Sequence, residues 1–485
     1  MRQFSKILSC VAMAAVFFGV VAESHAQWRG QRTRKATTPL PVLETESFDG
    51  KVLVSGLENP WALLWGPDGF LWLTERTGKT IKRIDPKTGR ASVVGTINEV
   101  LVDPNSVHKG LLGLALSPKF LNGDDTLYIY YTYQDGDNLY GRLAKYPYNA
   151  KAGTIGNGTT VIEKLPAGQD HNAGRVVFGP DGKLYLSKGD LGHNQGSSVA
   201  LEIEAQRLPT ADEVQNKNWV SYVGKVLRLN TDGSIPDDNP VLAGVKSHVF
   251  TYGHRNPQGL VFAGDVLFSS EHGPSSDDEV NRLEAGGKYG WPHVAGYQDD
   301  QAYVYANYSK ASPELQKKYD ANVIPDGVPV QKESDWKRPD NFKDPIKTFN
   351  TVPRDYNYSD VRAEKLKDTF GFVPSYILWP TIGPSSITYY PADGAVPSLR
   401  HSLIVGALKN GCLYVVPLAG DGKHAQGDVQ TLFRSQNRYR AVAISPDGKQ
   451  IFVATDKGGF GRGLDGLPAK EPKNPGAILV FTYQE

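Results

Sequence analysis

The chain has 485 residues, and its 53 Lys and Arg nearly balance its 52 Asp and Glu, which gives a formal net charge of +1. This balance leaves no basic excess for a polyanion, so we expect no nucleic-acid partner. The 51 Gly, 32 Pro and 10% aromatic residues are typical of a chain built from many short strands and turns.

Residues 1–26 have the pattern of a cleaved secretory signal peptide: two early cations, an apolar run and a final Ser-His-Ala that suits signal peptidase. An uncleaved anchor is the alternative, but the run is short and rich in small residues for a membrane span. We therefore predict a periplasmic or secreted protein with no membrane span after cleavage. Residues 27–47 are interpreted as a flexible lead-in with solvated charges.

One pattern recurs along the rest of the chain: an apolar run, a turn rich in Pro, Asp and Gly, and a second apolar run. It occurs six times, near residues 61, 111, 175, 259, 385 and 441, with room for two further strands in each unit. Six units of four antiparallel strands predict an all-β, six-bladed β-propeller over 48–485, in which ring closure protects the sheet edges. Apolar segments near residue 48 and at the C terminus are available to share one blade. An array of β-sandwiches is the alternative.

Two segments interrupt the repeat. Thr210 and Glu213 have the spacing of a capping box, which predicts a short helix between the third and fourth copies. A longer insertion over about 300–370 is polar and rich in Tyr, and Ser312 followed by Pro313 predicts one short helix inside it. Insertions of this size usually serve as lids or interfaces.

Antiparallel hairpins place the residues before their first strand and after their second strand at the same end. Cations, histidines and aromatic residues gather at this end of the six hairpins, whereas the opposite turns contain plain turn residues. We therefore predict one pocket at this mouth of the propeller. Before the first strands lie His108, Asp170, His171, Arg255, Asn256, Tyr376, Trp379, Arg438 and Arg440. After the second strands lie Asp190, Gly273, Pro274 and Lys409.

Two features of the mouth point to chemistry. Its cations are Arg255, Lys409, Arg438 and Arg440. They would repel one another unless an anion lies between them, and guanidinium groups pair bidentately with carboxylates, so a polycarboxylate ligand is indicated. His171 with Asp190 provides an imidazole oriented by a carboxylate, which is the arrangement of a general base. A structural histidine in a turn is the alternative interpretation.

Two acidic segments have the composition of hard-cation sites. One is the run Asp277, Asp278 and Glu279, which follows a Gly-Pro pair with free carbonyls. The other combines Asp299, Asp300 and Glu333. Oxygen ligands favour calcium, and no His or Cys cluster has zinc spacing. Solvated acidic loops are the alternative.

The segment GRGLDG at 461–466 matches the dinucleotide-binding pattern GxGxxG. No helix is predicted after it to present main-chain amides to a pyrophosphate, because Leu-Pro-Ala-Lys-Glu-Pro follows. We interpret it as a loop.

Five segments, taken in order over about 48–483, carry a specific resemblance: DHNAGRVVFGPDGKLYLSKGD, GHRNPQGL, EHGPSSDDEVN, GGKYGWPHVAGYQDD and NRYR. In these segments the chain resembles the soluble quinoprotein glucose dehydrogenases. That family is a calcium-dependent six-bladed propeller that uses pyrroloquinoline quinone (PQQ), a cofactor with three carboxylates. The resemblance implies an aldose substrate, an external electron acceptor and a homodimer.

The resemblance also implies roles for single residues. His171 would be the general base that takes the sugar C1 hydroxyl proton while hydride passes from C1 to the quinone, Asp190 would orient it, and Arg255 would stabilise charge on the quinone oxygen. The implied cofactor-binding residues are His108, Arg255, Asn256, Lys409, Arg438 and Arg440. The implied sugar-binding residues are His108, Asp170, Gln195, Tyr376 and Trp379. The implied calcium ligands are the carbonyls of Gly273 and Pro274 with Asp278 nearby, and at a second position Ala295, Tyr297, Asp299 and Glu333.

One departure from the family concerns the sugar. The glucose enzymes typically have Gln where this chain has His108, and a ring in place of an amide changes both hydrogen bonding and shape. We therefore expect glucose as a substrate but not as the exclusive one. Two other classes fit the fold: a calcium-dependent lactonase, which has no need for the cationic cluster, and a non-catalytic sugar-binding or ligand-binding propeller, which has no need for His171 beside Asp190.

Overall fold

Each of the six sequence repeats forms the first two strands of one small antiparallel sheet. The computed structural model describes residues 47–103, 106–301, 303–361, 374–469 and 471–484. In these residues six sheets of four main strands form a ring, and the first strands of neighbouring sheets contact one another around the centre. The predicted six-bladed β-propeller is therefore confirmed. The predicted signal peptide and nearly all of the predicted lead-in lie outside the described residues.

The blades follow one another in chain order. Blade 1 contains Pro60–Trp65, Leu71–Glu75, Thr80–Ile84 and Ala91–Thr96, and blade 2 contains Leu111–Leu116, Thr126–Asp135, Asn138–Asn149 and Thr159–Pro166, with Thr154–Ile155 beside it. Blade 3 contains Val176–Phe178, Leu184–Lys188, Lys225–Leu229 and Val249–Tyr252, and blade 4 contains Pro257–Ala263, Val266–Glu271, Asp278–Leu283 and Lys347–Phe349. Blade 5 contains Pro384–Tyr390, Ser402–Ala407, Leu413–Pro417 and Gln430–Leu432, and blade 6 contains Tyr439–Ile444, Gln450–Thr455, Ile478–Gln484 and Ser47–Val54.

Both ends of the described chain meet in blade 6, as predicted. The strand Ser47–Val54 pairs antiparallel with Ile478–Gln484, with Phe48 opposite Tyr483. The Phe48 ring also contacts Phe433, with 5.0 Å between ring centroids. The ring is thus closed by strand pairing, because the first strand of the described chain completes the outer edge of the blade that holds its last strand.

The repeated turns are built by their aspartates. In blade 1, Asp68 Oδ1 accepts hydrogen bonds from the N–H of Phe70 at 3.3 Å and from Trp72 Nε1 at 3.1 Å. In blade 3, Asp181 accepts in the same way from the Tyr185 hydroxyl at 2.9 Å. The aspartate therefore fixes the turn and orients a large aromatic residue of the next strand.

The core lies between neighbouring blades. Trp72 of blade 1 is fully buried and packs its ring edge-on against Phe120 and Tyr148 of blade 2, at centroid distances of 5.4 and 5.1 Å. Phe268 of blade 4 is buried in one cluster with Val405 of blade 5. This packing fixes each blade relative to the next, so loops from different blades meet at one mouth.

The two short helices are confirmed. Thr210 caps the helix Ala211–Gln215 through a complete capping box, and Ser312 caps Pro313–Gln316. The predicted insertion is interrupted by the fourth strand of blade 4. Short two-stranded pairs are Val241–Leu242 with Val245–Lys246, Tyr305–Ala306 with Val330–Gln331, and Gly461–Arg462 with Pro468–Ala469. Single 3-10 turns are Gly196–Ser198, Tyr308–Lys310, Glu333–Asp335, Tyr358–Val361, Ser375–Ile377 and Pro397–Leu399. In the described residues no helix is both long enough and apolar enough to cross a membrane.

Candidate active site

A cavity of about 610 Å³ lies at the predicted mouth and collects side chains from loops of several blades. The predicted residues that line it are His108, Asp170, His171, Gln195, Arg255, Gly273, Pro274, Asp278, Tyr376, Trp379, Lys409, Arg438 and Arg440. Asp190 and Asn256 lie directly behind this wall. The four residues predicted for a second metal position do not line the cavity.

His171 and Asp190 form a buried pair. His171 Nδ1 lies 2.6 Å from Asp190 Oδ1, and Asp190 also accepts hydrogen bonds from Trp291 Nε1 at 2.7 Å and the Gly192 N–H at 2.9 Å. Burial alone would raise the pKa of Asp190, which is 1% exposed, but His171 and Arg255 lower it below its usual value. An ionised Asp190 favours the tautomer of the neutral imidazole that carries its proton on Nδ1, and in that tautomer Nε2 is an acceptor.

A close backbone approach brings this pair together. Gly189, directly before Asp190, faces the main chain of His171, and a Cβ there would lie 1.9 Å from the His171 carbonyl oxygen. His171 itself has the left-handed φ of 43°. The N–H of Asp190 donates to the carbonyl of Arg255 at 2.8 Å, which ties the pair to blade 4. The glycine of the sequence Lys-Gly-Asp is therefore required by the geometry of the pair.

A polar network crosses the rim of the cavity. Asp170 Oδ1 lies 2.7 Å from His108 Nε2 and accepts the N–H of His171 at 2.8 Å. Gln195 donates to Asp170 Oδ2 at 3.2 Å and accepts from Arg255 Nη2 at 3.1 Å. Burial would raise the pKa of Asp170, but His108 and His171 hold it well below its usual value. The predicted sugar-binding residues His108, Asp170 and Gln195 thus form one connected group.

Arg438 and Arg440 share a carboxylate that the sequence analysis did not single out. Arg440 binds Asp456 with two hydrogen bonds of 2.8 Å, and Arg438 Nε lies 3.3 Å from the same residue. Burial would raise the pKa of Asp456, which is 5% exposed, but Arg440, Arg438 and Arg76 lower it. The carboxylate of Asp456 balances only one of the two positive charges of Arg438 and Arg440, so this part of the cavity wall keeps a net positive charge.

In the part of the chain that the structure describes, neither Arg255 nor Lys409 forms an ion pair with a carboxylate. Nε of Arg255 is buried without a hydrogen-bond partner in the described part of the chain. Lys409 Nζ donates to the carbonyl of Trp379 at 2.9 Å and to the hydroxyl of Thr381, both neutral groups. Burial lowers the pKa of Lys409 well below its usual value, with Arg462 acting in the same direction and Asp278 against it. Both cations are therefore placed to receive an anionic ligand.

Asp278 shapes the loop of Gly273 and Pro274. Its Oδ1 accepts the N–H of Gly273 at 2.9 Å, and its Oδ2 accepts the N–H groups of Ile382 at 2.5 Å and Gly383 at 2.9 Å. Among the described residues, neither carbonyl oxygen of the Gly-Pro pair receives a hydrogen bond. Burial raises the pKa of Asp278 against the opposing effect of Lys409 and these backbone donors. The loop thus has two main-chain oxygen atoms available for a hard cation, whereas Asp278 is occupied with backbone donors.

At the second predicted metal position, the buried carboxylate accepts hydrogen bonds from backbone N–H groups. Glu333 is 1% exposed and accepts the N–H groups of Ala295 at 3.0 Å, Asp300 at 2.9 Å and Asp299 at 3.2 Å. Burial raises the pKa of Glu333 to about 7. The structure therefore brings Ala295, Asp299 and Glu333 together, but it directs the carboxylate toward backbone donors. In the portions of the chain that the structure describes, no three His, Cys, Asp or Glu side chains form a metal-binding group.

Known proteins match this chain over most of its length. The sequence model of the glucose/sorbosone dehydrogenase family matches residues 57–327 and 349–462. The chain belongs to this family. It is 42% identical to quinoprotein glucose dehydrogenase B of Acinetobacter calcoaceticus over 451 residues, which cover 91% of this chain and 92% of that protein. It is 28% identical to the aldose sugar dehydrogenase YliI of Escherichia coli over 414 residues, covering 84% and 90% of the two chains.

Solved structures agree with the family assignment. The PQQ-bound form of the aldose sugar dehydrogenase from Streptomyces coelicolor superposes with a TM-score of 0.58 at 26% identity, covering 92% of this chain and 100% of that one. The apo-form of the soluble aldose sugar dehydrogenase from Escherichia coli has a TM-score of 0.60 at 22% identity, with coverage of 90% and 100%. The second likeness supports the fold alone.

In this member of the glucose/sorbosone dehydrogenase family, some residues at the cavity wall or directly behind it were not predicted from the sequence. His272 lines the cavity, and its Nε2 donates to the carbonyl of Pro384 at 2.9 Å while Nδ1 faces Asn256 Nδ2 at 3.4 Å. Asp456 follows the second strand of the sixth hairpin, so the hairpin geometry that predicted the other mouth residues also predicts its position at the mouth. Tyr319 comes from the irregular insertion, where no periodic pattern marks it.

Proposed function

We propose that this chain is a quinoprotein aldose dehydrogenase that oxidises C1 of a glucose-like sugar to the lactone, with PQQ and calcium. The observation that carries the proposal is the buried pair His171 and Asp190, 2.6 Å apart, in a cavity whose wall also holds the cations Arg255, Lys409, Arg438 and Arg440. A lactonase has no need for the cations. A sugar-binding propeller has no need for the pair.

The residues of the cavity fit a tricarboxylate quinone. Within the described residues, Arg255 keeps a buried Nε without a partner, and the ammonium group of Lys409 donates only to neutral oxygen atoms. Both groups gain charge-assisted hydrogen bonds when a carboxylate arrives. The carbonyl oxygens of Gly273 and Pro274 suit calcium, which prefers oxygen ligands. We assign the cofactor to Arg255, Asn256, Lys409, Arg438 and Arg440, with His108 at the sugar side.

A side chain of the protein accepts the proton of the sugar. His171 Nε2 takes the proton of the C1 hydroxyl, and Asp190 stabilises the imidazolium that forms because its carboxylate stays bonded to Nδ1. Arg255 would hold the quinone through its guanidinium group and would supply positive charge beside its acceptor oxygen. When bound, PQQ supplies the acceptor for the hydride that leaves C1, so the sugar loses one hydride and one proton. Asp170 and Gln195 are assigned to the other sugar hydroxyls.

Reconstitution tests the proposal. Purified apo-protein is titrated with PQQ in the presence of calcium, and reduction of an artificial dye is followed after adding each aldose of a panel that includes glucose. We expect aldose-dependent reduction that requires both quinone and calcium. Stoichiometric quinone binding without dye reduction in the presence of any aldose would contradict the proposal. Lactone hydrolysis without quinone would favour the lactonase. His108→Gln is assayed beside the wild type to show how this residue affects the sugar preference.

Three further features remain predictions from the sequence and the family. They are an external electron acceptor, a homodimer, and a periplasmic or secreted location reached through residues 1–26. A second calcium ion near Ala295, Tyr297, Asp299 and Glu333 is likewise a prediction.

Arg462, from the GRGLDG loop, braces the sugar side of the cavity. Its Nε donates to the carbonyl of Ile377 at 2.9 Å, its Nη2 donates to the carbonyl of Trp379, and its N–H donates to the carbonyl of Lys409 at 2.7 Å. The guanidinium therefore binds the turn that carries Tyr376 and Trp379, and the main-chain N–H of Arg462 binds the loop of Lys409.

We expect Arg462→Gln to raise KM for the aldose about tenfold, because charge-assisted hydrogen bonds to the turn are lost. We expect kcat and quinone affinity to stay within about threefold, since no reacting group is touched. Steady-state kinetics and quinone titration measure the two effects. Arg434→Gln, at an exposed position in the loop between blades 5 and 6, is the control. A parallel loss of quinone affinity would contradict a role limited to the sugar side.

A further inference from the structure

A guanidinium group lies at the centre of the propeller. Arg175 precedes the first strand of blade 3, and its Nε donates to the carbonyl of Gln258 in blade 4 at 3.1 Å. Its Nη2 donates to the carbonyl of Ser385 in blade 5 at 3.2 Å. Its Cζ lies 4.3 Å from the centroid of the Trp61 ring in blade 1. Blades 1 and 4 face each other across a ring of six, so this side chain lies close to the ring axis.

Arg175 lies at the level of the cavity along this axis. Its three partners are each the second residue of the first strand of a blade, and so is Arg440. Gln258 and Arg440 line the cavity, and Arg175 contacts the backbone of Gln258. The guanidinium of Arg175 is therefore placed directly behind the cavity wall.

The charge of Arg175 is not balanced by a carboxylate in the described part of the chain, because its hydrogen-bond acceptors are the two carbonyl oxygens. The side chain is buried, and burial lowers its pKa to about 9, with Arg440 acting in the same direction. The group is still protonated at neutral pH. A buried cation without an opposing charge costs free energy, and here a second cation repels it. An anion held in the cavity offsets this cost.

We propose that the charge of Arg175 strengthens the binding of a polycarboxylate in the cavity without contact between the two. The inference rests on the proposed function, in which this ligand is the tricarboxylate quinone. A charge in the protein interior is weakly screened by solvent and salt, so it acts on an anion beyond contact distance. The carbonyl oxygens and the indole face hold the guanidinium in place and leave its net charge intact. A purely structural group that joins blades 1, 4 and 5 is the alternative, and that role does not require a charge.

Quinone titration of matched variants separates the charge of Arg175 from its shape. Apo-protein with calcium is titrated with PQQ, and the dissociation constants are compared. We expect Arg175→Gln, which keeps N–H donors but removes the charge, to weaken quinone binding about tenfold, a usual size for the coupling of two charges in a protein interior. Arg175→Lys keeps the charge and is expected to stay within about threefold of wild type. Arg90→Gln removes a charge at an exposed turn of blade 1 and is the control, with quinone binding as in the wild type.

A second neutral variant and a second anion support this test. Arg175→Met places an apolar chain at the same position and is expected to weaken quinone binding as Arg175→Gln does, so the comparison holds if one of the two variants fails to fold. Trimesate is a planar tricarboxylate without redox chemistry. It is titrated in the absence of calcium, and we expect its affinity to fall in the neutral variants in parallel with that of the quinone.

Unchanged affinities for quinone and trimesate in Arg175→Gln and Arg175→Met overturn the inference. Binding by Arg175→Lys that is as weak as in the neutral variants also overturns it, because the shape of the side chain then matters and its charge does not. Failure of the proposed function has a different signature, in which the wild type binds trimesate but not the quinone. The trimesate affinities of the variants then decide the inference, and a wild type that binds neither anion contradicts both proposals.

Discussion

Replacement of His171 by Ala is expected to lower kcat by roughly a hundred- to ten-thousand-fold while quinone binding persists. In the proposed mechanism the proton of the C1 hydroxyl loses its acceptor, whereas the cations Arg255, Lys409, Arg438 and Arg440 stay in place. Stopped-flow reduction of the bound cofactor by glucose measures the chemical step, and equilibrium titration measures the quinone. Loss of quinone binding in the variant would show that His171 has a cofactor-holding role instead.

The backbone of His171 requires a matched control. Its φ of 43° lies in the left-handed region, where most side chains are strained and Asn is tolerated best. His171→Asn therefore keeps the loop conformation and still removes the base, so we expect the same loss of kcat with a smaller effect on thermal stability. A variant that regained activity with Asn would indicate a structural role.

Asp190→Asn tests the other half of the pair. The amide no longer stabilises the imidazolium and can hold the wrong tautomer, which leaves His171 in place but unable to accept the proton at Nε2. Because the two residues act as a unit, the double variant His171→Ala with Asp190→Asn is expected to lose little more than His171→Ala alone. Additive losses would mean that Asp190 acts independently of the histidine.

The propeller was predictable because each blade begins with a local hairpin whose pattern repeats. The Pro-Asp-Gly turns mark these hairpins, and in blades 1 and 3 Asp68 and Asp181 show why the pattern includes an aspartate. Hairpin geometry then places residues such as His171 and Lys409 at one end without knowledge of the tertiary structure. The residues at the mouth of the cavity were therefore predictable from local hairpin geometry in each of the six repeats.

The remaining parts of the site depend on irregular chain, for which no periodic rule exists. Trp291 reaches Asp190 across 101 positions of sequence, and Asn322 reaches Trp379 across 57. The sequence also does not indicate which groups a buried carboxylate faces. Glu333 lies among the predicted residues but faces backbone N–H groups, because the local path of the main chain decides which donors surround it.

Replacement of Asp456 by Asn is expected to destabilise the quinone-free protein by about 3–5 kcal/mol, the usual cost of breaking a buried ion pair from one side. The amide leaves Arg438 and Arg440 without their shared negative charge, and Arg76 adds to the repulsion. Urea unfolding of the apo-protein measures the loss. Asp428→Asn, at an exposed position, is the control and is expected to stay within about 0.5 kcal/mol of wild type.

The Asp456→Asn variant also tests whether an anionic ligand binds between the cations of the cavity. A tricarboxylate bound between Arg438, Arg440, Arg255 and Lys409 restores the missing negative charge, so saturating PQQ with calcium is expected to stabilise Asp456→Asn more than wild type. Ligand-linked stabilisation grows with the ratio of free ligand to Kd, and the comparison is made at equal quinone concentration. Equal stabilisation of the two proteins would mean that the carboxylates of the quinone lie elsewhere. A larger gain in the variant would place the cofactor charge beside Asp456.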